Sequence, residues 1–383
     1  MSLVAEKPLQ NVYTQSGKDS QLADAELKRK YKEIIDTTTL YYRIRHFTRA
    51  ADWAFNGIEN AFNAKQIDEP LQSPIFPLGN FRSGTSFLEK VISDHPSIGY
   101  FTYTSQIFPR SPIITSAATR KIPALNTMML PIHMPTSVDA NSPYEGEPIW
   151  RWCKNNCWAD NDINILDEHF SDPAFEKILL RVVNKHLTSQ NKTRFINKNP
   201  WNTLRVGYLK KLYPDARFIY IVRHPHRMLR SQIDLEGVHE RTLGHLKQFN
   251  DVFSDQFAAP RMFFRTPSSR EYIERYETDR LLATAMSIVD FDTCFEQEIE
   301  KAGMSGQVYR VRYEDLLSLF SDNMHPLFDF LQLQDEAAQR VIETNEQKYL
   351  RRDLVSSSSE LPRFNEETET VLKPMAEKYG YAL

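Results

Sequence analysis

Residues Pro74 to Pro96 read PIFPLGNFRSGTSFLEKVISDHP, and this stretch decides the fold. The apolar run Ile75 to Leu78 has the length and character of a buried strand. Gly79 and Gly84 bracket a loop, and helical spacing resumes from Ser83 to Ile92. A strand that feeds a glycine loop and then a helix gathers backbone N–H groups and the positive end of a helix dipole around one point. Such a point suits a phosphate or another tetrahedral anion.

Around this loop the chain alternates strand-like and helix-like segments. Arg194 to Asn197 and Ala216 to Val222 (ARFIYIV) read as strands, the second apolar nearly throughout as parallel strands are. Pro225 is placed to open a helix after Arg223-His224. Helical patterning returns from Asp279 to Ala302, and Val308 to Tyr313 reads as a further strand. The expected fold class is α/β: a parallel β-sheet flanked by helices, with ligands at the carboxyl ends of its strands. Residues 1–70 are expected to form a polar segment and an amphipathic helix packed on the core. That helix runs from Leu40 to Phe62, with Ala54, Ile58 and Ala61 on its inward face and Arg43, Arg45, His46 and Arg49 at its start. A membrane-surface or dimerisation helix is the other reading of the same pattern. Residues 71–383 are expected to form the catalytic domain, with irregular insertions near 105–149 and 237–278.

Composition narrows the function. A net charge of −3 over 383 residues gives no global field for nucleic acid, so an anion site must be built locally. No apolar run is long enough for a membrane span, and the first twenty residues lack the apolar centre of a secretory signal. With three cysteines and no signal, a cytoplasmic location with reduced thiols is expected. Cys153 and Cys157 have no second pair at zinc-ligand spacing, so no metal is expected.

The run Gly79 to Ser86 nearly spells the nucleotide-triphosphatase P-loop, but Thr85 stands where that motif has its lysine. Arg-Ser-Gly-Thr-Ser at 82–86, followed by a helix and Asp94-His95-Pro96, resembles the 5′-phosphosulfate loop of sulfotransferases that use 3′-phosphoadenosine 5′-phosphosulfate (PAPS). Three further stretches resemble that family in the same order. They are Lys198 after an inner strand, Arg223 with Ser231 eight residues on, and Arg312-Tyr313-Glu314-Asp315-Leu316. The resemblance implies a P-loop-like sulfotransferase fold and sulfuryl transfer from PAPS to an acceptor hydroxyl, without a metal. It assigns Arg82, Ser83, Gly84, Thr85, Ser86, Arg223 and Ser231 to the donor. Arg82 and Lys198 fall to the transferring group, and Arg312 to Leu316 to architecture.

Cytosolic small-molecule members carry a histidine two residues after the strand-end lysine, where this chain has Pro200. The segment Ser142 to Glu147 resembles an acidic SPxExE-like stretch of bacterial-type members, which makes Glu145 or Glu147 the expected base, ahead of His133 and His95. The acceptor class stays open among small-molecule, glycan and lipid hydroxyls, and so does the oligomeric state. Two alternatives remain: a P-loop nucleotide kinase, and a non-catalytic scaffold that binds PAPS.

Overall fold

In a computed structural model of the protein, the described residues are 48–63, 65–122, 139–150, 152–154, 165–234, 269–275, 278–349 and 361–382. Five strands build one parallel sheet: β1 (Ile75–Leu78), β2 (Ile98–Tyr100), β3 (Arg194–Ile196), β4 (Arg217–Val222) and β5 (Val308–Arg312). Their order is β2-β3-β1-β4-β5, which puts β1 in the centre.

Helices cover both faces, and the strand residues alternate between two cores accordingly. Phe76, Leu78, Phe218, Tyr220 and Val222 join the core on one face, and Ile75, Ile219 and Ile221 join the other. That two-sided burial is why β4 reads as an unbroken apolar run rather than an alternating one. On the second face lies α2 (Thr85–Ser93); the first face carries α4 (Pro173–Gln190) and α5 (Arg280–Lys301). Ahead of the sheet a helix through 48–62, α1, packs beside α3 (Pro112–Lys121) and α4.

Pro77 sits in the central strand, where a missing N–H is normally excluded. The ladder explains its tolerance. Asn197 N–H donates to Ile75 O at 3.0 Å and Gly79 N–H to Thr203 Oγ1 at 3.1 Å, so the odd residues of β1 face β3. Strand β3 pairs only Ile196 with Ile75 and has turned away before Pro77, whereas β4 pairs with all of β1. The absent donor therefore points into the gap between β1 and β3.

Two sequence expectations are corrected. Part of 105–149 is regular: Pro112–Lys121 is a helix and Glu147–Trp150 a single turn. The orientation of α1 is also the reverse of that expected. Ala54, Ile58 and Ala61 are exposed, while Asp52 and Glu59 are buried. The expectation failed because the inward face finds charged partners rather than apolar ones. Asp52 accepts from Ser111 Oγ at 2.6 Å, Glu59 accepts from Ile114 N–H at 2.8 Å near the start of α3, and Lys185 Nζ stands 3.3 Å from Glu59. A carboxylate among the free N–H groups of a helix's first turn is well placed. Of the second irregular stretch, only Ser269–Arg275 and the turn at Thr278 are described; His239, His245, Arg261, Phe263 and Phe264 lie outside the described residues, as do Cys157 and the start of the helix expected from Leu40.

Candidate active site

The chain after β1 makes a tight loop against the carboxyl edge of the sheet. Ser83 N–H closes a turn on Asn80 O at 3.2 Å, and the Asn80 side chain is tied to Ile288 O and Gln232. Gly84 caps α2 with φ of 106°, a conformation that favours glycine. A Cβ there would lie 2.3 Å from Tyr313 Cδ2, so the residue must be small as well as left-handed. The first N–H groups of α2 open toward the loop. Ser83 Oγ, on a residue 1 % exposed, has no hydrogen-bond partner among the described residues, and neither does the buried Arg223 Nε. Unsatisfied donors of this kind mark a place prepared for an acceptor-rich group.

Two guanidinium groups and a hydroxyl converge here. Arg82 Nε donates to Ser231 Oγ at 2.9 Å, and Arg223 Nη1 donates to Arg82 O at 3.1 Å. Burial, and then the charge of Arg223, push the Arg82 pKa below its usual value. Like charges held together in a half-dry site favour an anion between them. Arg223 also lies over the Tyr313 ring, 5.1 Å from its centroid, and that ring backs Gly84. The Tyr313–Leu316 segment follows β5, and Glu314 Oε1 accepts from His224 N–H at 3.0 Å. These bonds tie the end of β5 to the end of β4.

Across the gap beside β1 stands a lysine between two carboxylates. Lys198 Nζ pairs with Glu145 Oε1, and Lys198 N–H donates to Glu89 Oε1 at 3.0 Å. The neighbouring asparagines clamp the acidic loop in place: Asn197 Nδ2 donates to Glu145 O at 3.1 Å, and Asn199 Nδ2 to the same oxygen at 3.3 Å. Tyr144 N–H donates to Phe101 O at 2.7 Å, and Gly146 has φ of 75° with its face against the Phe101 ring. Burial raises the Glu89 pKa to about 7, Lys198 opposing the shift and Glu145 adding to it. Burial, then Glu145 and Glu89, also raise the Tyr103 hydroxyl, whose ring lies 5.0 Å from that of Tyr144.

Arg82, Ser83 and Gly84 thus lie on the loop, Thr85 and Ser86 open α2, Arg223 and Ser231 stand against Arg82, and Lys198 and Glu145 form a second group. The Glu147 side chain and His133 lie outside the described residues. His95 closes the far end of α2, its ring nitrogens taken by Ser97 Oγ at 2.8 Å and Asp335 Oδ1 at 3.0 Å. A nine-residue helix separates it from the loop by roughly 14 Å. Glu89 escaped the sequence reading. Its signal was a lone acid at an inward position of α2, between Leu88 and Val91.

Comparison with known proteins bears on the family and the fold. A model of the sulfotransferase family matches residues 74–337. The chain is 25 % identical over 291 residues to the omega-hydroxy-beta-dihydromenaquinone-9 sulfotransferase Stf3 of Mycobacterium bovis, covering 68 % of this chain and 63 % of that protein. It is 32 % identical over 85 residues to a putative protein-tyrosine sulfotransferase of Caenorhabditis elegans, covering 22 % and 31 %. Each match spans less than two thirds of the relative's own length. The fold resembles that of sulfotransferase STF9 from Mycobacterium avium, with a TM-score of 0.50 and 13 % identity over 86 % of this chain and 82 % of that one. From the anion loop through β5 and beyond, the chain belongs to the sulfotransferase family.

Proposed function

We propose that this chain transfers a sulfuryl group from PAPS to the hydroxyl of an apolar alcohol, with Glu145 as the base. The observation that carries this reading is that Arg82, Arg223 and Ser231 gather beyond the ends of β1 and β4, while the Lys198–Glu145 pair stands beyond the end of neighbouring β3.

The loop N–H groups at 82–86 and the start of α2 take the 5′-phosphosulfate. Arg223 and Ser231 take the 3′-phosphate, the guanidinium as a planar fork and the hydroxyl as a directional donor. Positioning and charge stabilisation do most of the work, as in phosphoryl transfer. The acceptor oxygen forms a bond to sulfur as the bond from sulfur to the bridging oxygen breaks. The electron pair leaves with 3′-phosphoadenosine 5′-phosphate (PAP), and the hydroxyl proton passes to Glu145. Lys198 begins as the partner of Glu145. When the sulfuryl group draws the ammonium to itself, the carboxylate is released as a base at the moment it is needed. Glu89 fixes the Lys198 backbone through that exchange. Glu147, one glycine beyond Glu145, is the second acid of the segment and the alternative base.

The apolar alcohol is proposed on two supports. Phe101, Tyr103 and Tyr144 stand beside Glu145, and the relative aligned over 291 residues is named for a menaquinone alcohol. The test is transfer of radiolabelled sulfate from PAPS to a panel of prenyl and fatty alcohols, phenols, sugars and tyrosine peptides. Labelled product from a long-chain alcohol supports the reading. Transfer only to sugars or peptides removes the acceptor assignment. Turnover with ATP and magnesium in place of PAPS overturns the donor.

A further inference from the structure

The helix α1 presents an apolar face that none of the other described residues covers. Trp53, Ala54, Gly57, Ile58, Ala61 and Phe62 recur at helical spacing and are all exposed, with Trp53 at 74 % and Phe62 at 84 %. Rotation cannot bury them. Asp52 is held by Ser111 and by Arg110 N–H at 3.1 Å, and Glu59 by Lys185 and Ile114 N–H, so the polar face is locked inward. Turning the helix would strip buried charges of their partners, which costs more than exposing two aromatic rings.

Charge identifies the occupant. Both acids of the helix are inside; Arg49 before the face and Lys65 after it are exposed, and of the acids beyond Lys65, Asp68 is paired to Arg181 while Glu69 is exposed. The sequence just ahead adds Arg43 and Arg45. A second copy packed antiparallel on the same face would set Arg49 near the other copy's Lys65, and these like charges repel. An anionic surface with an apolar interior meets both features at once. We infer that α1 is a membrane-surface helix, which lays Trp53, Ile58 and Phe62 into the interfacial layer of an anionic bilayer while Arg49 and Lys65 meet lipid phosphates. The helix lies on the surface rather than crossing it; no described helix is long and apolar enough to span. The inference goes beyond sulfuryl transfer and holds whichever alcohol is the acceptor.

Vesicle flotation of the full chain, without donor or acceptor, tests it. The protein is expected to rise with vesicles of phosphatidylcholine and phosphatidylglycerol in equal parts, more weakly with phosphatidylcholine alone, and less as salt is raised. Trp53→Ser combined with Phe62→Ser should cut the partition at least about tenfold. Arg49→Gln with Lys65→Gln should remove the preference for the anionic vesicles. All four positions are exposed, so unchanged thermal melting of the variants confirms that they fold. Failure of the wild-type chain to float with either vesicle overturns the inference, as does flotation that the aromatic variants leave intact. Concentration-dependent dimerisation abolished by the aromatic variants, with no flotation, assigns the face to a second copy instead. Sulfuryl transfer to a soluble alcohol is measured separately on the same variants. Its retention when flotation is lost keeps the two readings distinct.

Discussion

Lys198 lies between Glu145, which pairs with its ammonium, and Glu89, which accepts its backbone N–H at 3.0 Å. One residue thereby links the acidic loop at Tyr144–Gly146 to the helix that begins at the anion loop. If this pair is the catalytic base and its latch, Glu145→Gln should keep the shape of the loop and lower turnover by roughly 100- to 10,000-fold. Donor affinity should remain nearly intact. Single-turnover rates with saturating PAPS check this, alongside Glu147→Gln. Near-full turnover in both variants would assign the base elsewhere, with His133 the next to test.

The donor side is tested by affinity rather than rate. Arg223→Ala should weaken PAP binding by about 2–5 kcal/mol, because the partner phosphate would be left desolvated and unpaired. Ser231→Ala should cost less, since Arg82 remains beside it. Calorimetric titration separates the two, and an unchanged Kd for Arg223→Ala clears it of the role.

Arg82→Ala and Lys198→Ala should behave differently from Arg223→Ala. If both groups serve the sulfuryl oxygens, they act on charge absent from the product nucleotide, so kcat should fall much more than PAP affinity. Chelation by EDTA should leave turnover unchanged, because the compensating charge is proposed to come from these side chains. Turnover lost on chelation and restored by magnesium would favour the kinase alternative.

Glu89 gives a pH signature. Its folded pKa, raised by burial to about 7, exceeds the ordinary carboxylate value of 4.5. In that window the folded chain holds a proton that the unfolded chain has lost. Stability linked to Glu89 is therefore full below about pH 4.5 and declines as pH rises toward 7. Glu89→Gln retains an oxygen for Lys198 N–H and removes the titration. Its melting temperature should fall less than that of the wild-type chain between pH 5 and 7.5 on the scale of ordinary carboxylate titrations. Parallel melting curves across that range would show that Glu89 does not titrate there.

Gly84→Ala should disable the loop from the opposite side. The Cβ would come within 2.3 Å of the Tyr313 ring at a φ of 106°, and that ring is also the one beneath Arg223. Strain and overpacking together should destabilise the protein by about 1–3 kcal/mol. Donor affinity should fall as well, read by thermal shift with PAP. Wild-type stability with wild-type affinity would mean the ring moves freely.

Much of the local structure of the candidate site was legible because loops and strand ends are written in contiguous residues. Gly79 to Ser86 showed its turn and helix start, and ARFIYIV showed a two-faced strand ending at Arg223. The Arg82–Ser231 bond spans 149 positions and was not legible: the resemblance paired Ser231 with Arg223 instead. Glu89 was hidden because a glutamate on a helix normally faces water, and only packing shows that this one is buried. The reversal of α1 was illegible for the same reason. Apolar spacing defines a face, but the charged partners at Ser111, Ile114 and Lys185 decide which face goes inward.

Pro77 also has a consequence for the sheet as a scaffold. With no proton to offer toward β3, Pro77 costs the central strand no ladder bond there, because β3 pairs only at Ile75, while β4 pairs along all of β1. The seam therefore opens at the same level in every copy of the protein. Into the parted edges come the Thr203 hydroxyl, the Gly79 turn and the strand that delivers Lys198. An imino acid thus stands at the parting of the two strands that lead to the Arg82 loop and to Lys198.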